Sequence, residues 1–197
     1  TSSHEKTDEP AKVSRRQSWF GPFLTDVLDL NDLRGSTYFE PYAGGAGAAL
    51  GLLSDDVVTE IFINDADFRI YSFWRTILDE PAWFIERIST ATLDLTEWRS
   101  YREICINPAG HSQRDVGFSA FYMNRCNRSG VLNGGPIGGY EQCGDWRLDV
   151  GQTRTPPLDV PQWPGRLGIT VVRLPNTFPG HSPGEWRNSK AFAALRA

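Results

Sequence analysis

Apolar and polar positions in the first half of the chain follow two different spacings. Apolar residues recur at helical intervals over residues 19–28 and 68–78. Residues 46–53 are small and apolar, which predicts another helix. Residues 37–39 and 61–63 are short runs of strand-forming side chains. In chain order these elements are strand, glycine-rich turn, helix, strand and helix, which predicts an α/β fold with a parallel sheet and a right-handed crossover.

The second half of the chain has a different pattern. Residues 82–115 have helical spacing with a break at 107–110, and residues 118–123 are apolar. After Met123 the chain is loop-like and rich in glycine and asparagine. Seven of the 13 prolines lie beyond residue 151, where only residues 169–174 predict a strand. The pattern therefore predicts four segments, which are a disordered tail (1–17), an α/β region (18–81), a helical and loop region (82–150) and a proline-rich segment of uncertain fold (151–197).

Composition narrows the class of protein. Apolar residues make up 40% of the 197 residues, as in globular chains, and no run approaches the ~18 apolar residues of a membrane span. The polar N-terminal segment does not resemble a secretory signal. The three cysteines, Cys105, Cys126 and Cys143, form no CxxC pair, which argues against a disulfide framework or a zinc site. We expect a soluble, cytoplasmic protein with no metal and no membrane partner.

The distribution of charge is more informative than its total. The net charge of −4 argues against a general nucleic-acid binder, although residues 151–197 carry six basic and only two acidic residues. Within the acidic remainder, residues 116–140 contain two charged side chains, Arg125 and Arg128. This stretch is therefore the part of the acidic region that can meet a polyanion.

The clearest candidate site is the string EPYAGGAG at residues 40–47, directly after the first predicted strand. Glycines at the carboxyl edge of a parallel sheet let a ligand approach the backbone and open a helix N-terminus towards it. A tight turn without a ligand is the alternative. The run from Gly45 lacks the third glycine of a GxGxxG pattern, and Pro41 precedes it, so an NAD-dependent oxidoreductase is the weakest candidate.

Asp65 follows the second predicted strand, 25 residues after Glu40. A carboxylate at this place can accept hydrogen bonds from both hydroxyls of a ribose. The alternative is that Asn64 and Asp65 cap the next helix. The glycine turn in the neighbouring strand connection favours the ligand interpretation.

Four strings resemble one protein family. FEPYAGGAG (39–47) and IND (63–65) resemble motif I and the following motif of the Dam-like adenine-specific DNA methyltransferases. FYMNRCNRSG (121–130) and GGPIGG (134–139) resemble that family's segments in front of and within its DNA-recognition region. The strings occur in the family's order, and the resemblance extends from about residue 19 to residue 149.

The resemblance implies a Rossmann-like methyltransferase sheet whose cofactor-binding half is residues 18–81, with residues 82–150 as a helical and loop DNA-recognition insertion. The implied function is site-specific transfer of a methyl group from S-adenosylmethionine to the exocyclic amine of adenine in double-stranded DNA, as in restriction–modification. Asp65 would hold the cofactor's ribose. The other residues that would line the cofactor pocket are Trp19, Glu40, Pro41, Tyr42, Gly44 and Gly47.

Trp19 matches the aromatic of the family's first helical motif, but the residues after it depart from the family pattern. Trp19 is followed by FGPF, where the family usually has Gly-Gly-Lys, so the usual lysine contact is missing. Packing in the core is the alternative role for Trp19.

A glycine-bounded loop contains the hydrogen-bond donors Asn124, Arg125, Asn127, Arg128 and Ser129. All of these except Asn127 are candidate DNA contacts, in the region that resembles the family's DNA-recognition segment. Arginine binds phosphate or guanine bidentately, and asparagine pairs with adenine. Residues 131–140 are a candidate to fill the gap left when the target base is flipped. For Asn124 and Arg125, bracing the wall of the active site is the alternative.

The catalytic motif of such an enzyme, Asp/Asn-Pro-Pro-aromatic, does not occur among the 197 residues. The nearest strings are DEPA (79–82), NPAG (107–110) and TPPL (155–158). We therefore expect a sheet that is incomplete at the C-terminus, from a gene truncated or frame-disrupted before the motif, and a catalytically impaired chain. A non-catalytic S-adenosylmethionine- or DNA-binding remnant is the alternative function.

Overall fold

The computed structural model describes residues 20–145, 147–149 and the backbone of 169–171. The chain folds into two compact units that divide between Ile63 and Asn64. The first unit contains residues 20–63 together with 169–170, and the second contains the remaining described residues. Trp19, the predicted tail and most of the proline-rich segment lie outside the described residues.

The first unit is a short three-stranded sheet with helices. Its elements are α1 (Phe20–Leu30), β1 (Thr37–Glu40), α2 (Gly47–Ser54), β2 (Glu60–Ile63) and β3 (Ile169–Val171), with the strands in the order β1-β2-β3. β1 and β2 are parallel, and their register runs from the pair Thr37 and Glu60 to the pair Glu40 and Ile63. The predicted order of strand, turn, helix and strand is confirmed. A complete Rossmann-like sheet stays a prediction.

The core of the first unit consists of small and β-branched side chains. Ile61 and Ile63 are fully buried on one side of β2, as the alternation of a half-buried strand requires. Ala46 and Ala49 are also fully buried at the start of α2, and Leu52 is almost so. These alanines let α2 lie close to its neighbours, which holds the turn between β1 and α2 in place.

The second unit is helical. Its elements are α3 (Phe68–Asp79), α4 (Pro81–Thr90), α5 (Leu95–Ile106), α6 (Gln113–Cys126) and a 3-10 turn (Arg128–Gly130). Side chains of Asp67, Asp94 and Ser112 cap α3, α5 and α6 by accepting backbone N–H bonds. Pro81 is the first residue of α4, where its missing N–H costs nothing, and α3 ends at Asp79.

Helix α6 is the centre of this unit. It packs against α3 and α5, and at Gly117 the α3 backbone is so close that an added Cβ would lie 2.5 Å from the Ser72 carbonyl oxygen. Aromatic rings surround it, with the Tyr101 and Tyr122 centroids 4.6 Å apart. The buried core residues are Phe84, Trp98, Tyr101, Cys105, Phe118, Tyr122, Met123, Cys126 and Leu148.

The structure corrects one placement. Asn124 and Arg125, expected in a glycine-bounded loop, belong to the last turn of α6, which continues to Cys126. Tertiary packing explains the extension, because Met123 and Cys126 are both buried and continue the apolar face of the helix past the polar pair. Arg125 in the last turn also interacts favourably with the helix dipole.

Candidate functional site

The turn between β1 and α2 leaves space beside its glycines. Gly44 and Ala46 both adopt left-handed conformations, with φ of +48° and +49°, and the Ala46 N–H donates to the Ala43 carbonyl at 2.5 Å. A Cβ added at Gly44 or Gly45 would meet nothing within 4 Å. The alanines face inward while the glycines leave space outside, so a ligand can approach the backbone here.

Glu40 closes this turn from the end of β1. Its Oε2 accepts a hydrogen bond from the Ala49 N–H at 2.8 Å, which satisfies one of the amides that a helix leaves unpaired at its start. The side chain is half-buried. Burial raises the pKa of the Glu40 carboxyl, although the bond from Ala49 lowers it. Glu40 therefore shapes the N-terminal turn of α2 itself.

Three other predicted residues are on the surface or at its edge. Pro41 and Tyr42 follow β1 and are exposed, with 74% of Tyr42 accessible to solvent. Gly47 is the first residue of α2 and is also exposed. The structure thus places Glu40, Pro41, Tyr42, Gly44 and Gly47 on one continuous turn of the first unit.

Asp65, at the start of the second unit, belongs to a chain of hydrogen bonds that opens α3. Its Oδ1 accepts the Asp67 N–H at 2.9 Å, and Asp67 Oδ1 in turn accepts the Arg69 N–H at 2.9 Å. Asp67, rather than Asp65, is therefore the helix cap. A carboxylate has about four acceptor positions, so this bond is compatible with further hydrogen bonds at Asp65.

The predicted DNA residues occupy the end of α6 and the 3-10 turn. Asn124 donates from Nδ2 to the Gly130 carbonyl at 2.9 Å, and the Arg125 guanidinium lies 5.6 Å from the centre of the Phe121 ring. Arg128 and Ser129 are exposed in the turn, with Ser129 at φ +57°. Among the described residues neither arginine pairs with a carboxylate.

We call residues 127–137 the recognition loop, and its base is held by backbone hydrogen bonds. The Arg128 N–H donates to the Gly135 carbonyl at 3.1 Å, and the Ile137 N–H donates to the Cys126 carbonyl at 2.8 Å. Asn127 and Pro136 form an isolated antiparallel bridge between these two bonds. The loop is thus closed on itself and displays Arg128 from a fixed base.

Asn127 is the buried centre of the loop. Its Oδ1 accepts the Trp98 indole N–H at 2.8 Å, and its Nδ2 donates to the carbonyls of Val131 at 2.8 Å and Leu132 at 3.1 Å. The residue is 2% exposed, so these bonds replace water entirely. Sequence reasoning treated Asn127 as another loop donor. No local signal distinguishes it, because its partner Trp98 lies 29 residues away.

A cavity of about 360 Å³ lies elsewhere in the second unit and contains none of the predicted site residues. Its polar lining is already engaged. Glu97 accepts the Thr92 N–H at 2.6 Å and pairs with Arg87 at 3.2 Å. Asp94 caps α5 through the Glu97 N–H at 2.8 Å. These contacts fix the connection between α4 and α5.

The two buried cysteines, Cys105 and Cys126, do not provide a reactive nucleophile. All three cysteines are unpaired with one another, and Cys105 and Cys126 are buried. Burial raises the pKa of Cys126 to about 12 and also raises that of Cys105, so both thiols are protonated near neutral pH. The described ranges also contain no group of three or more His, Cys, Asp or Glu side chains placed to hold a metal ion.

Two comparisons with known proteins find no match for the chain. No protein-family description matches the chain, and no curated protein matches it significantly. None of the helices in the described part of the chain is both long and apolar enough to cross a membrane.

Proposed function

We propose that the chain descends from the adenine-specific DNA methyltransferases and holds the S-adenosylmethionine half and part of the DNA-recognition region of such an enzyme. The observation that carries this proposal is the turn at residues 40–47, an open glycine backbone at the carboxyl end of a parallel strand. Ligands of open α/β sheets bind at this edge. The order of the four family-like strings supplies the choice of cofactor.

The residues of the turn fit an S-adenosyl group. Space beside Gly44 and Gly45 admits a ligand against the backbone, and a Cβ at either position would occupy that space. Carboxylates suit a cofactor that carries a sulfonium and an ammonium group. Glu40 would shape the turn at residues 40–47, and the resemblance assigns Asp65, in the second unit, to the ribose hydroxyls. S-adenosylmethionine would supply the methyl group when bound.

Exposed arginines support a DNA partner. Arg125 and Arg128 lie within four residues of each other, both are exposed, and no described carboxylate neutralises them. Such side chains release counterions when they meet phosphate, which favours binding to a polyanion. The same proposal puts the chain in the cytoplasm, which unpaired cysteines favour.

The missing Asp/Asn-Pro-Pro-aromatic string favours a second candidate, a non-catalytic binding protein for S-adenosyl compounds or DNA. That string would supply the acceptors for the amine protons and the ring that stacks on the flipped base. Removal of one preorganised electrostatic partner costs about 100- to 1,000-fold in rate, and here all of them are absent. We therefore expect these 197 residues to bind without appreciable methyl transfer.

Tritiated methyl transfer from S-adenosylmethionine to mixed-sequence duplex DNA separates the two candidates. We expect incorporation at background level, together with duplex binding that weakens as salt rises. Turnover at ordinary enzymatic rates would show that the catalytic motif has been misplaced and would favour the active enzyme. Absence of both incorporation and binding would reject the methyltransferase ancestry as a guide to function.

A further inference from the structure

Arg69 connects the turn that contains Asp65 with the recognition loop. We propose that this arginine is a positioning residue that couples cofactor occupancy at the Asp65 turn to DNA binding by residues 127–137. This inference rests on the proposed function of those two segments. Its structural half, a mechanical link between turn and loop, is independent of any ligand.

At the Asp65 end, the link is an unbroken series of hydrogen bonds. Asp65 accepts the Asp67 N–H at 2.9 Å, which orients the next carboxylate. Asp67 then binds Arg69 in a fork, with Nη2 donating to Oδ2 at 2.6 Å and Nε donating to Oδ1 at 2.9 Å. A bidentate pair of this kind fixes the plane of the guanidinium as well as its position.

On the side of the loop, the remaining guanidinium nitrogen reaches residues distant in sequence. Arg69 Nη1 donates to Asn133 Oδ1 at 2.9 Å and to the Cys105 carbonyl at 3.4 Å. Asn133 lies 64 residues beyond Arg69, in the middle of the recognition loop. One side chain therefore joins the start of α3, the end of α5 and the loop.

Partial burial makes the ion pair between Arg69 and Asp67 stronger than a surface ion pair. The Arg69 side chain is 19% exposed, whereas the Arg75 side chain on the same helix is 37% exposed and pairs only within α3, with Asp79. Burial raises the pKa of Asp67, but the bonds from Arg69 outweigh burial and leave that pKa lowered. The pair of Arg69 and Asp67 thus stays charged across the neutral range, whereas the bond from Arg69 to Asn133 is exposed.

The coupling follows because each ligand restricts the conformational freedom of the segment that it binds. A ribose held by Asp65 would restrict the turn, and through Asp67 and Arg69 it would restrict Asn133. DNA that binds the loop would then meet a segment whose ordering cost is already reduced. By linkage, DNA on the loop must strengthen cofactor binding by the same factor.

A pair of titrations measures this coupling factor directly. The affinity for S-adenosylhomocysteine is titrated with and without saturating duplex DNA, in the unmodified protein, in Asn133→Ala and in Arg75→Gln. We expect DNA to tighten binding about fivefold or more in the unmodified protein and in Arg75→Gln, the usual range of allosteric coupling. Asn133→Ala removes the acceptor of the Arg69 Nη1 bond in the loop, so it should bring the factor close to one.

Amide hydrogen exchange of the unliganded protein tests the link without any ligand. Asp67→Asn keeps a helix cap but weakens the fork, so the Gly134 and Ile137 amides should exchange faster than in Arg75→Gln. If both ligands bind and the factor is the same in Asn133→Ala, the coupling is wrong and the proposed function stands. If neither ligand binds, the proposed function and the coupling between ligands both fail, and unchanged exchange rejects the mechanical link itself.

Discussion

The two candidate sites, the turn at residues 40–47 and the recognition loop, differ in the contacts that stabilise them. The second half of the turn at residues 40–47 consists of glycine and alanine, a Cβ added at Gly44 or Gly45 would meet nothing within 4 Å, and α1 of the same unit buries none of its residues. The recognition loop, in contrast, is held by a buried asparagine and lies on a core rich in aromatic rings. An open backbone suits the close approach of a small molecule, whereas a fixed base suits the display of charged side chains to a large polyanion.

The strongest test of this contrast is the substitution Asn127→Ala. It removes the acceptor of the Trp98 indole and the donor to two backbone carbonyls. At about 1 kcal/mol for each lost hydrogen bond, we expect the free energy of unfolding to fall by about 3 kcal/mol. Urea unfolding measures it. Asn124→Ala, which removes one exposed bond to Gly130, should cost less than half as much, and equal losses would contradict a special role for Asn127.

A matched pair of glycine substitutions compares the packing of the two units. Gly117→Ala puts a Cβ 2.5 Å from the Ser72 carbonyl oxygen, so helix α3 must shift, and we expect a loss of about 1–3 kcal/mol. Gly51→Ala in α2 meets nothing within 4 Å and gains helix propensity, so it should stabilise by up to about 1 kcal/mol. Thermal unfolding of both variants measures these changes in stability. A neutral Gly117→Ala would show that α3 and α6 are packed less tightly.

Arg128→Ala tests whether the fixed loop displays a DNA contact. If Arg128 binds phosphate, duplex affinity should fall uniformly across sequences, and the slope of affinity against salt should shrink by about one unit. Arg99→Ala removes an exposed arginine of α5 that has no carboxylate partner among the described residues, and it should leave both quantities unchanged. Fluorescence anisotropy at several salt concentrations provides the data. If Arg128→Ala behaves as the control does, Arg128 is not part of the interface.

The smallest expected effect concerns the two carboxylates that begin helices. The raised pKa of Glu40 means that its contribution to stability is present below the ordinary value of 4.5 and is lost as pH rises through the folded value. The lowered pKa of Asp67 means that its contribution is present above the ordinary value of 3.8 and is lost as pH falls.

The two substitutions should therefore respond to pH in opposite directions. Relative to the unmodified protein, Glu40→Gln should become more stable between about pH 4 and pH 7, because glutamine can still accept the Ala49 bond and never ionises. Asp67→Asn should become less stable than the unmodified protein as pH rises through 3.8, because the Asp67 carboxylate then forms its ion pair with Arg69 and asparagine cannot. Denaturant unfolding at pH values below 3.8 and above 4.5 measures both changes. The same sign for both substitutions would contradict the raised pKa of Glu40.

Local pattern predicted most elements because each depends on residues close in sequence. The spacing of apolar residues in α3, the strand formers of β2 and the glycines of the turn all act over a few positions. The extent of α6 was missed because buried Met123 and Cys126 extend the helix through tertiary packing. Asn127 and Arg69 were missed as organising residues for the same reason, since their partners lie 29 and 64 residues away.

The proposed function requires that the protein bind an S-adenosyl cofactor and that Asp65 hold the ribose of that cofactor. Calorimetric titration with S-adenosylhomocysteine, with NAD as the comparison, tests it most directly. We expect one site for S-adenosylhomocysteine, no measurable binding of NAD, and an affinity in Asp65→Ala that is weaker by about 1.5–3 kcal/mol, or about 10- to 150-fold. Absence of binding, equal binding of NAD or an unchanged affinity in Asp65→Ala would contradict the account.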